Sequence, residues 1–168
     1  MQRNSSSDFL VNKKENSIHL TREFNANLQH VWQAWTDPEL LDQWWAPKPY
    51  HIETKSLNFK EGGRWLYAMV GPKNEKDWCK AEYKRIKPLK SITWLDAFCD
   101  ENGNDNSGKP PSFWTIIFSS QNGKTKVNVT LKHESRADLE MMIQMGFKEG
   151  FSMALENLDQ LFSNLNMK

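Results

Sequence analysis

The C-terminal segment carries the pattern that most restricts how this chain folds. Between Arg136 and Asn164, apolar residues recur at steps of three and four, the spacing of one face of an α-helix. The part from Lys148 to Asn164 alone spans ~25 Å as a helix, at ~1.5 Å per residue. A helix of that length crosses an entire small sheet, so the rest of the chain must supply an apolar surface that covers it.

Two glycines, Gly146 and Gly150, interrupt this helical pattern. Each costs ~1 kcal/mol relative to alanine in a helix interior. One explanation is a break between a short helix over Ala137–Met145, capped by Ser135, and a main helix from Lys148. The other is that bare backbone at these positions leaves room for a bound molecule. The sequence leaves both open.

One strand and two short helices are predicted near the N-terminus. Ser17–Phe24 alternates and places Arg22 on the same side as its apolar residues. Asn27 is a suitable N-cap for a helix ending at Trp35, and Pro38 suits the first turn of the next helix. Neighbouring helix positions lie ~100° apart, so we expect only one residue of the Trp44-Trp45 pair to point inward, the other packing on a flanking strand or an interface.

The middle of the chain has a β pattern. Asn122-Gly123 is a strong signal for a tight hairpin turn. Antiparallel strands with the helices gathered on one face give an α+β fold, a curved sheet wrapped around the terminal helix. The six strands predicted after the helices are Tyr50–Asn58, Arg64–Val70, Trp78–Ile86, Ser91–Phe98, Phe113–Ser119 and Thr125–His133.

Length and composition favour one domain in the cytoplasm. Of the 168 residues, 1–16 are polar and predict a loosely ordered tail, which leaves 17–168 as a single domain. The tail lacks the apolar core of a signal peptide, and no run reaches the ~18 apolar residues of a membrane helix. Cys79 and Cys99 are expected to be reduced.

Charge and histidine spacing exclude several kinds of partner. The chain has 22 Lys and Arg residues against 21 Asp and Glu, so no nucleic acid and no anionic membrane is expected. No pair among the four histidines has the spacing of a helical metal site, and solvent exposure is expected for His51 and His133. We expect no metal and no cofactor.

Four motifs carry a resemblance to a known family. They are residues 31–38 (Val-Trp-Gln-Ala-Trp-Thr-Asp-Pro), residues 44–47 (Trp-Trp-Ala-Pro), the Gly-Gly turn that opens 62–69, and the Gly-Phe-x-x-x-Leu-x-x-Leu of 150–158. With them the chain resembles the START/polyketide-cyclase-like (SRPBCC) superfamily. Within it, the chain is similar to the AHSA1 subfamily, named after the C-terminal domain of the Hsp90 ATPase activator. Phe151 stands where that family usually has tryptophan.

The resemblance implies a helix-grip fold with a hydrophobic cavity between the sheet and the long helix. The strand phases offer aromatic residues for its walls, although the same stripes are typical of a filled core. Arg64 and Asp96 interrupt apolar strands, so each either orients a polar ligand group or lies on the surface. The ligand-binding candidates are Trp35, Trp44, Arg64, Trp65, Tyr67, Met69, Trp94, Asp96, Trp114, Ile116, Phe118, Phe147 and Phe151.

Three functions are compatible with these observations. The first is binding of a hydrophobic small molecule, such as a lipid, a polyketide or an aromatic metabolite. The second is an Hsp90-type co-chaperone or protein-interaction module, and the third is a cyclase-like enzyme. No catalytic constellation stands out in the sequence, which favours a non-enzymatic role. Aromatic residues such as Trp78 and Phe113 leave a homodimer face open.

Overall fold

A single antiparallel sheet holds the terminal helix in the computed structural model, which describes residues 9–105 and 108–166. Its strand order is β1-β2-β8-β7-β6-β5-β4-β3, and every paired neighbour is antiparallel. The predicted α+β helix-grip architecture is confirmed. In chain order the elements are β1 (Leu10–Asn12), β2 (Ser17–Phe24), α1 (Leu28–Thr36), α2 (Pro38–Trp44), β3 (His51–Leu57), β4 (Arg64–Val70), β5 (Lys76–Lys87), β6 (Ser91–Cys99), β7 (Ser112–Gln121), β8 (Lys124–Lys132), α3 (Arg136–Gln144) and α4 (Phe147–Asn166).

The helices begin where the sequence provides caps. The side chain of Asn27 accepts a hydrogen bond from the His30 backbone N–H at 2.8 Å, and Ser135 accepts one from the Asp138 N–H at 3.1 Å. These bonds satisfy backbone donors that have no partner inside the first helical turn. Asp37 caps α2 in the same way and is followed by proline.

Residues with positive φ end elements where the sequence predicted turns. Asn122 and Gly123 have φ of 55° and 79° between β7 and β8, as a tight hairpin turn requires. Gly146 has φ of 87° between α3 and α4, so the predicted break in the C-terminal helix is confirmed. Gly150 lies inside α4, where its backbone N–H donates to the Gly146 carbonyl at 2.9 Å.

The first strand lies inside the segment predicted to be loosely ordered. Residues 10–12 pair with β2, with Leu10 opposite His19, and Phe9 places its ring 6.3 Å from that of Phe147. Leu10 and Val11 are exposed, so β1 is joined to the sheet by its backbone and has no apolar alternation to reveal it. The remainder of the predicted tail, residues 1–8, lies outside the described residues.

Both tryptophans of the Trp44-Trp45 pair are buried, so the prediction that only one points inward is wrong. The Trp44 indole N–H donates to the Ala34 carbonyl at 2.9 Å and lies between the two short helices. Trp45 follows the last residue of α2, and its indole N–H donates to the Tyr67 hydroxyl at 3.1 Å. Because α1 covers one side of α2 and the sheet covers the other, both tryptophan side chains point into the interior.

A buried ion pair connects α4 to the second strand. Arg22 lies on the inner face of β2, where only 3% of its side chain is exposed, and its guanidinium binds the carboxylate of Asp159. A buried cation needs such a partner because its desolvation is otherwise uncompensated. The pair joins residues 137 positions apart in the chain and fixes the axial position of α4 on the sheet.

We expect Asp159→Ala to lower the free energy of unfolding by roughly 2 kcal/mol, because it leaves the Arg22 charge buried without its carboxylate partner. Glu156→Ala, at an exposed position of the same helix, is the matched control and should change stability by less than ~0.5 kcal/mol. Urea denaturation of both variants measures the difference. Equal effects would show that the ion pair does not hold the helix.

Candidate functional site

A cavity of about 360 Å³ lies between the inner face of the sheet and the α3–α4 break. The sheet supplies its floor through β4 to β7, and the two C-terminal helices supply the opposite wall. The segment after α2 closes one end. The lining residues are Trp45, Pro47, Tyr50, Tyr67, Met69, Asp77, Cys79, Asp96, Phe98, Lys109, Trp114, Met142, Met145, Gly146, Phe147, Gly150 and Phe151.

Aromatic rings form the inner wall of this cavity. The rings of Phe147 and Phe151 stack with centroids 5.3 Å apart and an interplanar angle of 17°. Both meet the Trp114 indole edge-on, at 5.9 and 5.4 Å. Trp45 closes the wall with its centroid 5.6 Å from that of Trp114. Each ring is fixed by its contacts with the others, so this wall is preorganised for an apolar ligand.

The floor carries three polar groups, one from each of three neighbouring strands. Tyr67 and Cys79 lie opposite each other in the β4–β5 register, and Asp96 of β6 points to the same face. Burial and then the nearby Asp96 charge raise the pKa of both Tyr67 and Cys79. The phenol and the thiol are therefore neutral at physiological pH.

Asp96 is the floor group whose pKa lies near physiological pH. Burial raises the pKa of its carboxyl from 3.8 to about 7. Its Oδ1 atom is buried without a hydrogen-bond partner, although part of the residue is accessible. The indole N–H of Trp94 lies near enough to favour the ionised form, yet it does not reach hydrogen-bond geometry.

The rim of the cavity is exposed and carries opposite charges. Asp77 and Lys109 face solvent there, and Lys109 places its Nζ 4.5 Å from the centroid of the Phe98 ring. Met145 is 48% exposed and adds a thioether to the opening. The site therefore passes from a charged, hydrated mouth to an aromatic interior.

Both glycines of the C-terminal segment line the cavity. A Cβ atom built on Gly150 lies 3.7 Å from Cγ of Pro47, an ordinary van der Waals contact, so a larger side chain there enters space that is now open. Gly146 ends α3 with a conformation that side chains disfavour. The two glycines therefore account both for the break between α3 and α4 and for the open space beside it.

Six of the thirteen sequence-predicted site residues line the cavity, namely Tyr67, Met69, Asp96, Trp114, Phe147 and Phe151. Six others belong to the filled part of the core beside it, namely Trp35, Trp44, Trp65, Trp94, Ile116 and Phe118. Arg64 lies on the opposite face of the sheet, in register with Glu82 and against Gly103. Arg64 faces outward because successive residues of a strand point to opposite faces and its neighbour Trp65 points inward.

The sequence-based prediction missed several lining residues that had readable signals. Cys79 and Phe98 are opposite each other in the β5–β6 register, on the face that Asp96 shares. Met142 and Met145 follow the spacing of one helix face. Trp45 belongs to a motif that carried the family resemblance, and only its neighbour was selected.

The two histidines predicted to face solvent differ. His51 is exposed and contacts the Glu53 carboxylate at 3.3 Å. The prediction for His133 is wrong, because the ring is buried and neither nitrogen has a hydrogen-bond partner. Burial lowers its pKa and keeps the imidazole neutral. Within 9–105 and 108–166, no group of three or more His, Cys, Asp or Glu residues is placed to hold a metal ion.

A second depression, of about 490 Å³, lies at the outer ends of β5 and β6. It is larger than the cavity, but its surface is mostly polar and it lies between a strand end and a loop. An apolar guest would lose little contact with water there, so the cavity is the better candidate. The residues that line the depression are Lys76, Asp77, Trp78, Phe98, Cys99, Asp100, Glu101, Asn102 and Lys109.

Asp96 makes stability depend on pH with a predictable sign. The unfolded carboxyl loses its proton near 3.8 and the folded one near 7, so the folded state is progressively penalised as pH rises between these values. We expect Asp96→Asn to become more stable relative to the parent by roughly 2 kcal/mol between about pH 5 and about pH 8. Urea denaturation at both values measures this.

The comparison of variant with parent isolates Asp96, because His133 titrates in both proteins. A difference between the two proteins that does not change with pH would contradict the assignment of a burial-raised carboxyl.

Known proteins support the same architecture. The sequence profile described as "Activator of Hsp90 ATPase homolog 1-like protein" matches residues 25–163. Protein Ms6760 from Mycobacterium smegmatis is 29% identical, with a TM-score of 0.86 over 93% of this chain and 96% of that chain. A Staphylococcus epidermidis protein solved by NMR is also 29% identical, with a TM-score of 0.81 over 92% and 93%.

An Arthrobacter aurescens protein has a TM-score of 0.88 at 25% identity, over 94% of this chain and 91% of that chain. No curated protein matches the sequence. In the part of the chain that the structure describes, no helix combines the length and apolarity needed to cross a bilayer.

Proposed function

Because the chain belongs to the Activator of Hsp90 ATPase homolog 1-like family, within the SRPBCC superfamily, we propose that its cavity binds a small, largely apolar molecule. The observation that carries this proposal is the cavity of about 360 Å³ between the sheet and the α3–α4 break. Small-molecule sites occupy roughly 300–1,000 Å³ and combine apolar walls with a few polar groups. This cavity has that size and that composition.

The affinity would come from burial of apolar surface. Each Å² of apolar area removed from water contributes ~25 cal/mol. The rings of Trp114, Phe147 and Phe151 line the cavity and supply much of its aromatic surface. A planar aromatic or polycyclic guest can stack on these rings, whereas a guest without flat surfaces gains less.

Three methionines give the site room to adjust. Met69, Met142 and Met145 line the cavity and are only partly buried. Unbranched thioether side chains change rotamer at low cost and fit irregular shapes. The proposed site therefore pairs a fixed aromatic wall with an adaptable one, an arrangement that suits a class of related ligands.

The two alternative functions make different demands on the protein. A cyclase-like enzyme needs an acid or base beside the bound substrate, and Asp96 is the residue in position for that role. An Hsp90-type interaction module needs an exposed binding surface and does not require an open cavity. Retention of a small molecule by the purified protein favours ligand binding or catalysis over the interaction module, and turnover of that molecule separates binding from catalysis.

We expect native mass spectrometry of the purified protein to show a bound small molecule, and solvent extraction to identify its class. Gly150→Leu should abolish that retention, because the new side chain occupies cavity space. Leucine is also a better helix former than glycine by ~1 kcal/mol, so loss of ligand is not expected to come from unfolding. Gln160→Leu adds the same side chain to the exposed face of α4 as the control.

A protein that purifies empty, and whose melting temperature is unchanged by a panel of lipids and aromatic metabolites, would count against cavity binding. Equal ligand retention by Gly150→Leu and Gln160→Leu would place the bound molecule elsewhere.

A further inference from the structure

Asp96 sets a chemical condition on whatever the cavity binds. Its carboxylate lies on the floor among aromatic rings, and Oδ1 is buried without a hydrogen-bond partner. A buried carboxylate in this state is costly, and a complementary charge or donor offsets the cost. The strand phase that puts Trp94 inward also puts Asp96 inward, so packing holds the group in place.

Within residues 9–105 and 108–166, Asp96 has no salt-bridge partner. Burial and the Trp94 indole are the causes that act on the pKa of Asp96, and no lysine, arginine or histidine of the described residues is among them. Tyr67 and Cys79, facing it from β4 and β5, are neutral. The wall opposite, from α3 and α4, presents the thioether of Met142 and the ring of Phe147.

The charged groups at the mouth do not change this conclusion. Lys109 is exposed and sits over the Phe98 ring, while Asp77 is an exposed carboxylate at the same rim. His133 lies behind Lys109 in an adjoining space and is held neutral by burial. The interior therefore carries one carboxyl group, ionised above about pH 7, among aromatic rings.

We propose that the ligand of this cavity is an amine whose ammonium group pairs with the Asp96 carboxylate while its apolar body stacks on Trp114, Phe147 and Phe151. This inference rests on the proposed binding function and specifies its ligand class. Two features of the site select a cation together. The carboxylate gains a charge-assisted hydrogen bond, and an aromatic ring that turns its face to the ammonium group attracts the positive charge. A carboxylate ligand would instead meet a like charge in an environment of low dielectric constant.

Three probes with one ring system test the proposal by isothermal titration calorimetry, namely naphthylmethylamine, naphthylmethanol and naphthoate. At about pH 8 both the amine and Asp96 carry their charges. We expect the amine to bind at least about tenfold more tightly than the alcohol, and naphthoate to bind most weakly. Asp96→Asn should remove the advantage of the amine and leave the affinity of the alcohol within about threefold. Glu23→Gln, which neutralises an exposed carboxylate on β2, should preserve the advantage.

The pH profile of amine binding gives a second readout. Protonation of Asp96 below about pH 7 should weaken amine binding, while alcohol binding stays nearly constant. The same profile in Asp96→Asn measures the contribution of His133, whose protonation would repel the amine and not the alcohol.

Equal affinities for amine and alcohol in the parent, or an amine advantage that survives in Asp96→Asn, would overturn this inference. Tight binding of the alcohol in those cases would still support the proposed cavity function. Failure of all three probes to bind or to raise the melting temperature would count against both.

Discussion

The indole of Trp45 separates the filled part of the interior from the open part. On one side it packs against Trp35, Trp44 and Trp65, which fill the space beneath the two short helices. On the other side it contacts Trp114 and Phe151, which line the cavity. Its N–H donates to Tyr67 at the floor, so its orientation is fixed by a hydrogen bond as well as by packing. On the side of Trp114 and Phe151, the break between α3 and α4 leaves space unfilled, and this space is the cavity.

Most of the fold was predictable because its signals are local. Caps such as Asn27 and Ser135 and the positive-φ turn at Asn122 act within a few residues, and strand alternation identifies which side chains share a face. Two features were not predictable, for physical reasons. β1 is held by backbone pairing without an apolar pattern. The partner of Arg22 is far away in sequence, so an inward arginine in an apolar strand signals that a partner exists without identifying Asp159.

The candidate site was only half predictable, because phase tells which face a residue occupies but not where the core is filled. Trp94 and Trp114 have the same phase and stack 5.3 Å apart, yet only Trp114 lines the cavity. Phase was decisive for the two charged candidates, since Asp96 is in phase with the inward residues Trp94 and Phe98, whereas Arg64 is out of phase with inward Trp65. The alternation on β6 therefore contained the information about Asp96, and what the sequence lacked was the position of the helix break above it.

The most direct test of a ligand site beside Trp45 is a titration followed through the tryptophan indole N–H signals in ¹⁵N NMR spectra. Six of the eight tryptophans are buried and the other two, Trp32 and Trp78, are half-buried, so the signals report different places in the protein. On addition of naphthylmethylamine, we expect large shifts for Trp45 and Trp114 and little change for Trp32 and Trp78. Shifts confined to Trp78 would place the ligand in the polar depression at the ends of β5 and β6, and would contradict a ligand site beside Trp45.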